Sequence, residues 1–262
     1  MASFEKTAVL AALIFYAAAA LTYFLAQRDS RRSRGAFVLA GTGLFANLLA
    51  LIHRAAVARR LPLANGYEFL LCFTLLTASM YISYEAKYKD QKAGGPVMII
   101  SALLLLAVAL LMPEQFNTIT PLMPALKSPW LAAHVLTAVI AYSSFALATG
   151  LAAMQLRQKD SAITDDAVYR SVAIGFAMLS LSIVLGAIWA EQAWGSYWSW
   201  DPKEIWALIT WIIYAIYLHM YRQRGLRGKS ASFMVIAGFI LVLFTFFGVN
   251  YLMSGLHSYA SL

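Results

Sequence analysis

Residues 194–204 read WGSYWSWDPKE. Trp194, Trp198, Trp200 and Tyr197 fall within seven residues, and Asp201, Pro202, Lys203 and Glu204 follow directly. Indole offers a large rigid apolar face with one polar N–H. Two readings follow. Such rings can form the aromatic belt of a membrane interface, which accounts for one or two tryptophans at a helix end. They can also form a platform for a flat ligand, with the neighbouring charges anchoring its polar edge. The chain has four histidines, His53, His134, His219 and His257. Neutral imidazole is a common metal ligand. The single cysteine, Cys72, sits in an apolar run and reads as a small buried hydrophobe. One thiol forms neither an internal disulfide nor a CxxC pair, so any thiol chemistry belongs to a partner's cysteines.

The elements that position these residues follow from composition. The chain is 61% hydrophobic and 12% charged, whereas a soluble domain carries roughly a quarter charged residues. This is the composition of an all-α integral membrane protein. A span needs about 20 predominantly apolar residues. Eight such segments are predicted, at about 8–27, 36–57, 66–84, 95–112, 130–156, 171–190, 205–221 and 231–252. They form a single polytopic membrane domain over 1–262, with the aromatic loop at about 189–206. The first stretch is too long for a cleaved signal and lacks a basic leader.

The net charge of +8 does not call for nucleic acid, because basic residues of membrane proteins collect in cytoplasmic connections. Fourteen of the twenty lysines and arginines follow the first, third, fifth and seventh segments, among them Arg34, Lys87, Arg157 and Arg222. That side is expected to be cytoplasmic. Both termini, the 113–129 connection and the aromatic loop then face outward. His134 falls one turn inside the fifth helix and His257 just after the last. His219 lies roughly 20 Å along the seventh helix from Ile205, towards the cytoplasmic leaflet.

Haem iron takes axial ligands above and below its plane. Two histidines sharing the outer face with a tryptophan loop favour haem ligation there by His134 and His257. Zinc usually needs three or four protein ligands, and this face offers two histidines and no cysteine. A histidine inside a membrane helix is costly and often functional; His219 reads either that way or as a side chain reaching the inner interface beside Arg222. His53 reads as a packing or hydrogen-bonding residue. Arg54, Arg59, Arg60 and Lys203 are outward cations, suited to haem propionates or to lipid head groups. Glu68 is accounted for by the dipole of the helix it begins.

The stretch WGSYWSWDPKEIWALITW resembles the WWD signature of haem-handling proteins of cytochrome c maturation. Its Asp-Pro-Lys-Glu ending is similar to that of the CcsA/ResC branch (CcsB in some naming schemes) rather than the related CcmC. RLPLANGYEFL, LKSPWLAAHV, YLHMYRQRGLRG and FFGVNYLMSGLHSY agree and keep the order of that family. The resemblance implies a subunit of the system II cytochrome c synthase, with holocytochrome c synthase (haem lyase) activity exerted together with a ResB-type partner. Haem b, as substrate, is delivered to the outer face and joined by thioether bonds to the CxxCH cysteines of apocytochrome c. By position, His134 and His257 match the outer iron ligands. Trp194, Trp198, Trp200 and Asp201 match the signature that holds haem. His219 matches an inner haem site whose second ligand comes from the ResB/CcsB-type membrane subunit, expected as a separate chain because this one begins almost directly with a helix. No acid, base or nucleophile is identified.

The other partners implied are thiol-reducing proteins and membrane lipid, with no nucleic acid. The location implied is the bacterial inner membrane, or the thylakoid membrane in a plastid. One departure is Arg60-Leu61-Pro62, where some members read Gly-His-x-Pro. Three alternatives stand beside this reading: a haem exporter or chaperone without synthase activity, a HemX-type regulatory membrane protein, and a transporter with an aromatic gate.

Overall fold

The computed structural model describes residues 2–26, 30–119, 121–157, 162–253 and 255. Among them, eight helices are long and apolar enough to cross a membrane, matching the eight predicted segments, and no strand occurs. The helices are α1 (Ala2–Leu25), α2 (Ser30–Ala58), α3 (Gly66–Tyr88), α4 (Gly94–Leu111), α5 (Pro129–Arg157), α6 (Ala162–Trp194), α7 (Pro202–Gln223) and α8 (Gly228–Leu243). A π-helical turn, Phe244–Gly248, carries α8 into a last short helix, α9 (Val249–Leu252). The 113–129 connection holds two 3-10 turns, Pro113–Phe116 and Pro124–Leu126. A backbone that spans lipid must satisfy its own N–H and C=O groups, and helices do this within one segment.

Several boundaries depart from the apolar pattern: α1 and α2 start at Ala2 and Ser30, ahead of their apolar stretches. Helix α6 extends past the apolar stretch 171–190 at both ends. Asp165 in its first turn complements the helix dipole, and Arg170 pairs with Asp166 one turn away at 2.8 Å. Helix α7 starts at Pro202 rather than near Ile205, because Asp201 caps it and Pro202 occupies its first turn. The connection expected over 189–206 is therefore non-helical only over 195–201, and Trp194 is the last residue of α6.

The described residues form two compact units, one of Met1–Pro62 with Tyr67–Thr120, the other of Leu63–Gly66 with Pro121–Leu262. In the first, α1 packs along α2 and α4. Charged side chains tie α1 to α2 and α3. Tyr67 Oη donates to Glu5 Oε1 at 2.6 Å, and Arg54 Nε donates to Glu68 Oε1 at 3.1 Å. Arg54 Nη1 donates to the Gln115 carbonyl at 2.9 Å and lies 3.6 Å from Glu5. Arg60 reaches Glu68 with bonds of 2.7 and 2.9 Å. Buried charge persists when it is paired and hydrogen-bonded. At the other end of the same helices, Tyr23 Oη donates to Glu85 Oε2 at 2.5 Å.

In the second unit, α5 packs on α6 and α8, and α7 on α6 and α8. Phe145 of α5 stacks on Tyr214 of α7 with ring centroids 3.8 Å apart. Trp211 Nε1 of α7 donates to Ser180 Oγ of α6 at 2.8 Å. This frame carries His134, the tryptophan turn and His219.

Candidate functional site

His134 lies in the second turn of α5, facing α6. Its Nδ1 is 2.8 Å from the backbone carbonyl of Ser182 and 3.1 Å from Ser182 Oγ. A carbonyl oxygen only accepts, so Nδ1 carries the proton and the ring's electron pair resides on Nε2. The Ser182 hydroxyl donates in turn to the His134 carbonyl at 3.1 Å. Such an outer hydrogen bond fixes the tautomer and orientation of an imidazole that binds metal through its other nitrogen. The ring is half-buried.

Trp189 extends the site. Its ring lies nearly parallel to the His134 imidazole, at an interplanar angle of 14° and 6.4 Å between centroids. Its Nε1 donates to the Ala125 carbonyl at 2.9 Å, which ties the Pro124–Leu126 turn to α6. Trp194 meets Trp189 edge to face at 4.8 Å. His134, Trp189 and Trp194 thus form one continuous row of rings. Trp189 lies outside the tryptophan cluster that draws attention in the sequence. The signal that marks it is its spacing from Ser182 and Gly186, which places all three on one face of α6.

The turn itself is short and braced by one carboxylate. Glu204 Oε2 accepts from the backbone N–H of Ser199 at 2.9 Å and of Asp201 at 3.1 Å. Asp201 Oδ1 accepts from Lys203 N at 3.0 Å, and Asp201 and Glu204 each accept from the other's backbone N–H in a reciprocal capping box. Between the two braced amides, Trp200 has φ +60°, a left-handed conformation unusual for a bulky side chain. Its indole is 67% exposed and meets Trp198 edge to face at 5.8 Å. Trp200 is thereby displayed, whereas Asp201 is buried at 6% exposure. The Asp201 carboxylate caps α7 and borders Gly255, where a Cβ would overlap it. Lys203 Nζ donates to Asn250 Oδ1 at 3.1 Å, fastening the start of α7 to α9.

The remaining sequence-derived residues are placed apart or lie elsewhere. His219 is exposed in the last turn of α7, about 25 Å along that helix from Pro202. His257 lies outside the described residues. In the first unit, Arg54 is 1% exposed and held by Glu68 and Glu5, while Arg60 is held by Glu68. The expectation of free outward cations is thus replaced for both, because two buried carboxylates demand them. Glu68 is 0% exposed, so helix polarity alone does not account for it. Arg59 is exposed. His53 Nδ1 sits 3.1 Å from Glu5 Oε2, the hydrogen-bonding role read from sequence.

An eight-span helical membrane protein with an oriented imidazole, a row of indoles and a braced tryptophan turn defines the class. The chain belongs to the cytochrome c assembly family: the family described as Cytochrome C assembly protein matches residues 63–257. It is similar to proteins named Cytochrome c biogenesis protein CcsA. The one from Chlamydomonas reinhardtii is 35% identical over 237 residues, 85% of this chain and 67% of that protein. The one from Guillardia theta is 35% identical over 231 residues, 76% of each chain. The one from Prochlorococcus marinus (strain MIT 9312) is 32% identical over 248 residues, 80% of each.

Proposed function

We propose that this chain is the haem-handling subunit of a system II cytochrome c synthase, working with a ResB-type membrane partner. Haem is its substrate. The observation that carries the reading is the His134 ring, whose Nδ1 is committed to the Ser182 carbonyl at 2.8 Å with Trp189 and Trp194 beside it. That arrangement places the electron pair on Nε2, suited to an iron, and the half-buried Trp194, backed by the buried Trp189, supplies an aromatic face for a porphyrin.

In this scheme haem arrives from the cytoplasmic side, past an inner site that includes His219 and a ligand from the partner. At the outward end His134 and His257 take the two axial positions. Trp194, Trp198 and Trp200 lie against the macrocycle, and Asp201 keeps the turn in shape. The protein's contribution is orientation, which turns an encounter into a near-attack pair. Each apocytochrome cysteine S–H adds across a haem vinyl C=C. A C–S bond forms at one vinyl carbon, the proton ends on the other, and no net electrons are exchanged. The histidine of the CxxCH motif then displaces one axial imidazole and the product leaves. Thiol-reducing proteins keep those cysteines free.

The test uses the chain purified with its partner from membranes. His134→Ala and His257→Ala should each lose the visible spectrum of bound haem and the formation of thioether-linked cytochrome, and added imidazole should partly restore haem. His219→Ala should deplete a separate haem population. Unchanged spectra in both outer variants would defeat the assignment. Haem binding without holocytochrome in a defined reconstitution would favour an exporter or chaperone.

A further inference from the structure

We propose that Ser182 and Gly186 of α6 are positioning residues for His134, setting where its imidazole points and how firmly it holds iron. The proposal rests on the assignment of His134 as a haem ligand.

Ser182 and Gly186 are one turn apart on α6, and the His134 ring lies against both. The Ser182 carbonyl accepts a hydrogen bond from His134 Nδ1–H at 2.8 Å. Its hydroxyl touches the same nitrogen at 3.1 Å and donates back to the His134 carbonyl at 3.1 Å. Gly186 supplies the space. A Cβ there would lie 2.8 Å from Nδ1 and 2.9 Å from Cε1 of His134, closer than carbon and ring atoms pack. The ring has little freedom to yield, since Nδ1 is bonded to residue 182 and Trp189 lies nearly parallel to it at 14°. Any side chain at 186 therefore breaks the Nδ1 bond or turns Nε2 away from its present direction.

The same bond has an electronic consequence. An Nδ1–H held by a carbonyl makes the imidazole a stronger donor, which favours ferric over ferrous iron. Helix α6 thus governs how readily an incoming histidine displaces His134, a property that holding the ring in place alone would not require.

The test is a double-mutant cycle on the intact complex with its partner, read by haem retained after purification and by the visible spectrum. Gly186→Ala should lower retained haem about 10- to 100-fold, in the range of outer-shell losses at metal sites. In a His134→Gly background supplied with imidazole, the same change should matter less than about twofold, because additivity across the pair is lost once the tethered ring is gone. Equal losses in both backgrounds, or a wild-type spectrum in Gly186→Ala, would overturn the proposal by reducing Gly186 to helix packing. Should Gly186→Ala fail to accumulate, Ser182→Ala decides: it keeps the carbonyl bond but removes the hydroxyl's contacts with Nδ1 and with the His134 carbonyl, and should lower retained haem about 10-fold, whereas wild-type retention overturns the role of the Ser182 side chain. Full haem retention in His134→Gly without imidazole is a different result, which removes the ligand assignment itself.

Discussion

Glu204 braces the tryptophan turn, and its removal has a calculable cost. Glu204→Ala deletes the acceptor for Ser199 N–H at 2.9 Å and Asp201 N–H at 3.1 Å. Hydrogen bonds to a charged group contribute about 1.5–3 kcal/mol each, and these two share one partly exposed carboxylate, so about 3 kcal/mol is removed in all. Against this, Trp200 at φ +60° relaxes once its neighbours are released, recovering about 1 kcal/mol. The net is about 2 kcal/mol of local stability, or roughly 30-fold in the open population of the turn at 1.4 kcal/mol per tenfold. Hydrogen exchange read by mass spectrometry over 195–201 should accelerate by that factor in Glu204→Ala. The span Thr210–Tyr217 within α7 should be unaffected, since the cap acts on the first turn alone. Glu204→Gln, which keeps an acceptor, should fall between. Exchange over 195–201 that matches the wild type in Glu204→Ala would refute the idea that this carboxylate holds the turn.

Arg54→Leu leaves Glu68 and Glu5 short of their buried partner and should cost about 3–5 kcal/mol, seen as a lowered melting temperature in detergent; Arg54→Lys should recover part of it. Trp189→Phe keeps a ring against His134 but loses the bond to the Ala125 carbonyl, worth about 1 kcal/mol, and should make the Pro124–Leu126 turn more open to protease. Gly255→Ala brings a Cβ into the Asp201 carboxylate and should lower both thermal stability and retained haem.

The spans were legible because apolar length is a one-dimensional property. All eight predicted segments have helical counterparts. The boundaries that moved did so through side chains rather than hydropathy. Asp201-Pro202-Lys203-Glu204 is an N-cap, a proline in the first turn and a capping-box partner in sequence, yet its polarity hid it from an apolar count. Trp189 was obscured for the opposite reason, since it sits in an apolar stretch and shows its role only through Ala125 and His134, both more than 50 residues away. Arg54 and Glu68 are 14 residues apart in sequence, but the turn that joins their helices brings them together, and no periodicity announces that pairing. The Ser182 carbonyl against His134 is a backbone contact to which side-chain identity is blind.

The buried ions of the first unit also make its helices mutually dependent. Helix α1 carries Glu5, and α2 carries Arg54, which can neutralise it at 3.6 Å. Helix α3 carries Glu68, whose charge Arg54 and Arg60 answer together. A lone ion released into lipid is costly, so each of these three helices depends on the presence of the other two. The three helices thus form one electrostatic unit, and losing any one of them would strand a charge of the others.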